Sequence, residues 1–223
     1  MTQAALDGVI QEAPNEHKAT VIWLHGLGDS GNGFAPIAPE LQLPSSLGVK
    51  FIFPHAPIRP VTINNGMEMR AWYDIKSMDM ESRADIGGVQ ESAELVKALV
   101  ESEIASGIPA NKIILVGFSQ GGVIAYHLGM RFAHSLAGII GLSTYMCQPE
   151  SLPSEKDSAN ANTPILICHG QQDEVVPLSL GRAAYETFKR YGYKVEWKEY
   201  VMQHNVCMPE IKDISLFIQE HLA

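Results

Sequence analysis

Short apolar runs alternate along this chain with longer segments in which apolar residues recur at helical spacing. The runs are rich in Val, Ile and Leu and nearly continuous, which is typical of strands covered on both faces of a parallel sheet. Six strands are predicted in this way: Val21–Leu24, Val49–Phe53, Ile113–Gly117, Leu136–Leu142, Pro164–Cys168 and Tyr193–Tyr200. The last one alternates apolar and charged residues and so predicts a half-exposed edge strand, and a further edge strand is predicted near Gly8–Gln11.

Helices are predicted between these runs, because apolar residues there recur every three or four positions. They cover Gly88–Ser106, Gln120–Phe132, Leu180–Tyr191 and Pro209–Leu222. The alternation of strands and helices indicates an α/β fold with a mostly parallel central sheet and helices on both faces. Since no internal repeat, linker or low-complexity tract interrupts the pattern, we expect residues 1–223 to form a single domain.

The net charge of the chain argues against two classes of partner. Asp and Glu number 25 against 16 Lys and Arg, so the formal charge is −9. An acidic protein gains nothing from the counterion release that drives nucleic-acid binding, and an anionic membrane surface repels it. We therefore expect no nucleic-acid partner, whereas a neutral or cationic small substrate fits the charge.

The cysteines and the chain ends bear on the cellular compartment. Cysteines are three in number and lack a Cys-x-x-Cys spacing, which favours free thiols in a reducing compartment. The first residues show no basic stretch followed by an apolar core, and no apolar run approaches the roughly 20 residues that span a bilayer. We expect a soluble, cytoplasmic protein with no integral membrane association.

A serine between glycines is the first candidate for catalytic chemistry. Gly117–Gly121 reads Gly-Phe-Ser-Gln-Gly, and it lies between a predicted strand and a predicted helix. A nucleophilic serine in this context occupies a very sharp turn, so the residues two before and two after it must lack bulk. Such short patterns also occur in ordinary turns, but the strand–helix context favours Ser119 as a nucleophile.

The segment after the first confident strand, His25–Asp29, is the candidate oxyanion loop. In a strand–serine–helix arrangement, the oxyanion accepts the N–H of the residue after the nucleophile and an N–H from the loop after an early strand. This predicts the backbone N–H groups of Leu27 and Gln120 as the donors, and the helix beginning at Gln120 also directs its positive end at the oxyanion. The histidine that closes the strand, His25, precedes a glycine, where a side-chain hydrogen bond would hold the loop.

The same loop offers an alternative interpretation. Gly26, Gly28 and Gly31 form Gly-x-Gly-x-x-Gly after a strand, the pattern of a dinucleotide-binding turn. That function needs an acidic residue at the end of the next strand to hold the ribose. The next strand ends in Phe53-Pro54-His55 without one, so we expect no dinucleotide cofactor.

A serine nucleophile needs a general base, and the base needs an acid that orients it. In this type of fold the chain order is serine, acid, histidine. Asp173 follows a predicted strand and is the candidate acid, with Glu174 as the adjacent alternative. His204 lies in a loop past the next strand and is the candidate base, whereas His221 lies in the last helical turn.

Five segments of the chain together resemble the phospholipase/carboxylesterase family of α/β hydrolases, which includes the acyl-protein thioesterases. They are His25–Gly31, Met69–Ile75, Gly117–Gly122, His169–Pro177 and Met202–Val206. The resemblance runs from about Val21 to the C-terminus. It implies an α/β-hydrolase fold without a large cap domain and hydrolysis of fatty acyl esters or thioesters. Acyl-enzyme chemistry requires no cofactor or metal, and the sequence has no His-Glu-x-x-His or phosphate-loop pattern. It also implies the triad Ser119, Asp173 and His204, with Leu27 and Gln120 as oxyanion donors.

One segment, residues 58–84, is too long for an ordinary connection and shows no clear period. It is rich in methionine, including Met78 and Met80, and carries Met69 and Trp72. Methionine is flexible and fills irregular shapes, so a Met-rich wall suits acyl chains of varying length. We therefore predict that Met69 and Trp72 bind substrate, against the alternative that the segment is core packing around a structural loop.

The leading hypothesis is a carboxylic-ester hydrolase that works through an acyl-enzyme intermediate. The substrate is a small acyl ester or thioester, with a lipidated protein among the candidates, and the enzyme is a monomer or homodimer. Two alternatives use the same scaffold: a peptidase, since fold and triad do not define the bond cleaved, and a catalytically silent binding protein.

Overall fold

A computed structural model describes residues 6–77 and 84–223 of the chain. Met78 and Met80 of the predicted Met-rich wall lie outside the described residues. The strands are β1 (Gly8–Gln11), β2 (Ala19–Leu24), β3 (Val49–Pro54), β4 (Ile58–Val61), β5 (Met67–Arg70), β6 (Ile113–Phe118), β7 (Gly138–Leu142), β8 (Ile165–Gly170) and β9 (Val195–Tyr200). The helices are α1 (Gly31–Phe34), α2 (Ile37–Glu40), α3 (Ile86–Ala105), α4 (Gln120–Arg131), α5 (Leu152–Glu155), α6 (Leu178–Arg190) and α7 (Met208–Leu222).

Within the described residues, seven strands form one sheet in the order β1-β3-β2-β6-β7-β8-β9. All neighbours from β3 to β9 pair in parallel, and β1 pairs antiparallel with β3 at one edge. At the other edge, Val195 and Trp197 of β9 are half-buried while Glu196 and Lys198 are exposed. The predicted parallel sheet and both predicted edge strands are confirmed.

Helices cover both faces of this sheet, as predicted, because the central strands direct apolar side chains to both sides. In β6, Leu115 packs into the core under α3, α4 and α6, and its neighbour Val116 packs into the core under α1, α2 and α7. Residues such as Ile124 of α4 and Ile218 of α7 are fully buried in these two cores. Each strand is therefore covered on both sides, which explains its continuous apolar sequence.

The segment 58–84, whose sequence shows no clear period, contains two strands in its first half. β4 and β5 pair as an antiparallel hairpin outside the main sheet. The strands are four residues each and half of their residues are exposed, so they lack the apolar pattern of a buried strand. Asn65 and Gly66, with φ of 55° and 73°, occupy the turn, and an Asn-Gly pair is a recognised hairpin signal.

The parallel strands determine where the chemistry gathers. β2, β6, β8 and β9 run in the same direction, so their carboxyl ends meet along one edge of the sheet. The loops that leave those ends carry Leu27, Ser119, Asp173 and His204. Side chains that are far apart in sequence are thereby brought to one site.

Candidate active site

Ser119 occupies a sharp turn between β6 and α4. Its backbone angles, φ 53° and ψ −117°, lie in a region that non-glycine residues rarely adopt. The turn needs close approach on both sides, because a Cβ at Gly117 would lie 2.3 Å from the Gly121 carbonyl oxygen. A Cβ at Gly121 would lie 2.4 Å from the carbonyl oxygen of Leu24. The two glycines of the motif are therefore required by space, and the turn presents Ser119 above the sheet.

A continuous chain of hydrogen bonds joins Ser119 to a carboxylate. His204 Nε2 lies 3.0 Å from Ser119 Oγ, and His204 Nδ1 lies 2.7 Å from Asp173 Oδ2. An ionised carboxylate only accepts hydrogen bonds, so Nδ1 carries the proton and Nε2 is left to accept the serine hydroxyl. This is the tautomer that a general base requires.

The environment of Asp173 keeps its carboxyl group ionised. Burial raises the pKa of Asp173, but hydrogen bonds from His204 and from the backbone of Val176 and Val175 outweigh it and hold the pKa below its ordinary value. The two backbone N–H groups reach Asp173 Oδ1 at 2.8 and 2.9 Å. Glu174, the alternative acid, is exposed. The carboxylate that contacts His204 is that of Asp173.

Leu27 and Gln120 lie on either side of the space in front of Ser119. Gln120 is the first residue of α4, so its N–H has no acceptor within the helix. Leu27 lies in the turn after β2, and its N–H donates to no backbone carbonyl of the described residues. Both donors are available where an oxyanion would form.

The serine faces a cavity of about 230 Å³ with a largely apolar wall. The wall includes Leu27, Ile75, Phe118, Tyr145, Val175 and Val176. A larger cavity of about 600 Å³ shares Tyr145 and continues past Ile86, Met146 and Leu180 to α6. Apolar surface therefore extends from the serine well beyond the reacting atoms.

The predicted contact between Trp72 and substrate is wrong. Trp72 is 0% exposed and lines neither cavity. Its indole N–H donates to the carbonyl of His25 at 2.8 Å, which turns the ring into the protein. Met69 is half-buried with its sulfur beside Gly28 and is outside the lining of both cavities, so its role in binding stays a prediction.

Sequence reasoning missed Tyr145, which lines both cavities. It follows β7 by three residues and carries no motif of its own. The available signal was positional, because residues just past the carboxyl end of a central parallel strand lie at the ligand-binding edge of the sheet. Ile75 lies in the Met-rich segment 58–84, and Val175 directly follows the two candidate acids, but neither was singled out as a residue of the cavity wall.

The described ranges hold neither a cluster of metal ligands nor a helix that could span a membrane. Residues 6–77 and 84–223 contain no group of three or more His, Cys, Asp or Glu side chains arranged to hold a metal ion. Among the helices of those ranges, none combines the length and apolar character needed to cross a membrane.

Comparisons with known proteins cover nearly the whole chain. The model of the phospholipase/carboxylesterase family matches residues 6–222. Acyl-protein thioesterase 1 of Gibberella zeae is 35% identical over 100% of this chain and 98% of its own length, and that of Neurospora crassa is 41% identical over 92% and 88%. Among solved structures, Arabidopsis thaliana SOBER1 has a TM-score of 0.87 at 32% identity over 92% of this chain and 100% of its own. Zea mays acyl-protein thioesterase 2 has a TM-score of 0.87 at 29% identity, over 97% and 99%.

Proposed function

Because this chain belongs to the phospholipase/carboxylesterase family, we propose that it cleaves acyl esters and thioesters through an acyl-enzyme formed on Ser119. Membership makes the chain a carboxylic-ester hydrolase with the α/β-hydrolase fold. The assignment of residues rests on one observation, the hydrogen-bonded chain from Asp173 through His204 to Ser119, at 2.7 and 3.0 Å. We also propose that residues 1–223 are a single domain, since the family match spans residues 6–222.

The proposed reaction begins with proton transfer from Ser119 Oγ to His204 Nε2 as Oγ attacks the acyl carbonyl carbon. The carbonyl oxygen becomes an oxyanion, which accepts hydrogen bonds from the N–H groups of Leu27 and Gln120. His204 then gives the proton to the departing alcohol or thiol, leaving the acyl group on Ser119. Water, deprotonated by His204, attacks the acyl-enzyme, and His204 returns this proton to Ser119 Oγ as the bond to the acyl carbon breaks and the carboxylic acid leaves. Asp173 stabilises the imidazolium that forms in each half of the reaction.

The substrate class follows from the wall of the cavity. We propose that an acyl chain extends from Ser119 past Ile75 and Tyr145 towards Leu180, along the apolar surface that joins the two cavities. Each methylene that this surface buries contributes about 0.8 kcal/mol, or roughly fourfold in kcat/KM. Since the similar proteins include acyl-protein thioesterases, a lipidated protein or a small fatty thioester is the substrate we favour.

The alternatives have less support. A silent binding protein has no need of a complete Ser–His–Asp chain with hydrogen-bonding geometry. No observation favours a peptidase: the described wall at Ser119 is largely apolar, and although Asp29 also lines it, nothing there selects a peptide over an acyl chain. For location we propose the cytoplasm, on the ground that Cys147, Cys168 and Cys207 are all free thiols.

The test is covalent labelling followed by a rate panel. A fluorophosphonate should modify wild-type protein at Ser119, and the panel should compare aryl esters, a lysophospholipid and a palmitoyl-thioester peptide. We expect fatty thioester to be hydrolysed faster than acetyl ester. Folded wild-type protein that resists the label would refute the proposed nucleophile and favour the binding protein.

A further inference from the structure

The two oxyanion donors belong to different elements, so something must hold them at a fixed separation. Leu27 lies in the loop after β2, and Gln120 begins α4. Residues 70–73, the end of β5 and the segment that follows it, make hydrogen bonds to the loop that carries Leu27, at His25 and Gly28, and to the side chain of Gln120. We refer to residues 70–73 as the brace.

On the side of Leu27, the brace holds the chain both before and after the donor. The indole N–H of Trp72 donates to the carbonyl oxygen of His25 at 2.8 Å. The N–H of Gly28 donates to the carbonyl oxygen of Arg70 at 2.8 Å. Leu27 is therefore held between two bonds to the same four-residue segment.

The imidazole of His25 defines the orientation of the peptide unit itself. The carbonyl oxygen of Gly26 accepts from His25 Nδ1 at 2.7 Å, while His25 Nε2 accepts the N–H of Ala56 at 3.0 Å. Burial lowers the pKa of His25, which favours the neutral ring that both bonds need. Since the peptide unit is planar and trans, holding the Gly26 oxygen on one side directs the Leu27 N–H to the other.

On the side of Gln120, the carboxamide makes two bonds to the brace. Gln120 Oε1 accepts the backbone N–H of Trp72 at 2.8 Å, and Gln120 Nε2 donates to the carbonyl oxygen of Tyr73 at 2.6 Å. The carbonyl oxygen of Trp72 accepts the hydroxyl of Ser92, which ties the brace to α3. Gln120 is 2% exposed and Trp72 is 0% exposed, so water does not compete for these bonds.

We propose that Trp72 is a positioning residue, which holds the Leu27 and Gln120 N–H groups in the arrangement that the oxyanion requires. N–H groups that are already oriented need no reorganisation when negative charge develops on the carbonyl oxygen. Their catalytic effect comes from this preorganisation. Trp72 has no surface for substrate, so its loss should act on the chemical step and leave substrate binding alone. The proposal rests on the proposed function, because it assumes acyl transfer at Ser119.

The chain contains a matched control for the critical variant. Trp72 and Trp23 are both 0% exposed, but the indole N–H of Trp23 makes no hydrogen bond within the described residues. Trp23 packs in the core on the opposite face of the sheet. Trp72→Phe removes the hydrogen bond from the indole N–H to the oxyanion loop. Trp23→Phe removes the same atoms, but no hydrogen bond is lost.

The experiment compares kcat, KM and the affinity of an aryl boronic acid, whose tetrahedral adduct with Ser119 uses the oxyanion donors. For Trp72→Phe we expect kcat to fall about 10- to 100-fold, because a displacement of the oxyanion donors by up to about 1 Å causes a loss of that size. KM should stay unchanged, and the boronic acid should bind more weakly by a similar factor. Trp23→Phe should retain wild-type kcat and boronic-acid affinity.

A second variant tests the proposal independently, in case Trp72→Phe fails to fold. Gln120→Met keeps the backbone N–H at position 120 and removes both carboxamide bonds, so it should show the same loss of kcat at constant KM. Thermal unfolding and titration with a fluorophosphonate to completion give the folded, active fraction of each variant. The proposal is overturned if Trp72→Phe has wild-type kcat, changes only KM, or loses no more than Trp23→Phe. Absence of labelling in wild type would instead overturn the proposed function, so the two failures are distinguishable.

Discussion

Glu210, in the first turn of α7, carries a fully buried carboxyl group. The side chain is 0% exposed, and neither carboxyl oxygen has a well-formed hydrogen bond within the described part of the chain. Burial raises the pKa of Glu210 from 4.5 to about 8; the nearby N–H of Cys207 lowers it only in part, and Asp213 raises it. The folded protein therefore holds this proton at neutral pH, whereas the unfolded chain releases it.

The sign and size of the effect on stability follow from this difference. Between pH 4.5 and about 8 the folded state binds more protons at Glu210 than the unfolded state does, so the free energy of unfolding decreases as pH rises through that window. At 1.36 kcal/mol per pKa unit, the full loss is on the order of 5 kcal/mol. Total stabilities of domains are about 5–15 kcal/mol, so the loss is a large part of the whole.

The variant Glu210→Gln replaces the acid by a neutral amide of similar shape, which does not titrate. We expect its free energy of unfolding to match that of wild type near pH 5 and to exceed it by several kcal/mol at pH 8.5. The assay is urea unfolding of both proteins across that range. Glu220→Gln, at an exposed position on the same helix, is the control and should keep the wild-type pH dependence. Equal pH dependence in wild type and Glu210→Gln would refute the reasoning.

Three further predictions concern the candidate site. Ser119→Ala should fold normally and lower turnover by up to about 10⁶-fold; retention of a tenth of the activity would remove Ser119 from the mechanism. Asp173→Asn should lose on the order of 10⁴-fold in kcat, because the amide favours the wrong tautomer of His204, while Glu174→Gln should keep wild-type kcat; the reverse pattern would assign the acid to Glu174. Rates on a homologous ester series should rise with chain length in wild type, and Tyr145→Ala should flatten that rise more than it slows acetyl ester; a flat wild-type profile would exclude an acyl groove.

Much of the fold could be predicted because the relevant signals are local. A strand covered on both faces must be apolar throughout, so β6 and β8 are recognisable as continuous runs. The elbow at Ser119 needs glycine at positions 117 and 121 for lack of space, so the motif records the geometry directly. Chain order then limited the base and acid to a few residues, with Asp173 and Glu174 as open alternatives.

The hairpin of β4 and β5 shows where local signals fail. Its strands are short and half of their residues are exposed, so the apolar pattern carries little information, and its turn residues, Asn65 and Gly66, were the strong indication. The choice between Asp173 and Glu174 also needed the tertiary structure. Two adjacent carboxylates have the same chemistry, and hydrogen bonds with His204 and with the backbone N–H groups of Val175 and Val176 hold Asp173 inward.

Trp72 shows most clearly the difference between what local sequence signals indicate and what tertiary contacts decide. Its sequence context, a long Met-rich segment, favoured a substrate wall, because a large aromatic residue there suits an apolar ligand. Its ring donates to the carbonyl of His25 and its backbone N–H donates to the carboxamide of Gln120, and both partners are distant in sequence. Sequence by itself determined which residue types stand at the sheet edge, since steric and hydrophobic requirements act on each element separately. Tertiary structure alone decided which of them face the serine and which hold it in place, because hydrogen bonds between elements exist only after the strands have come together.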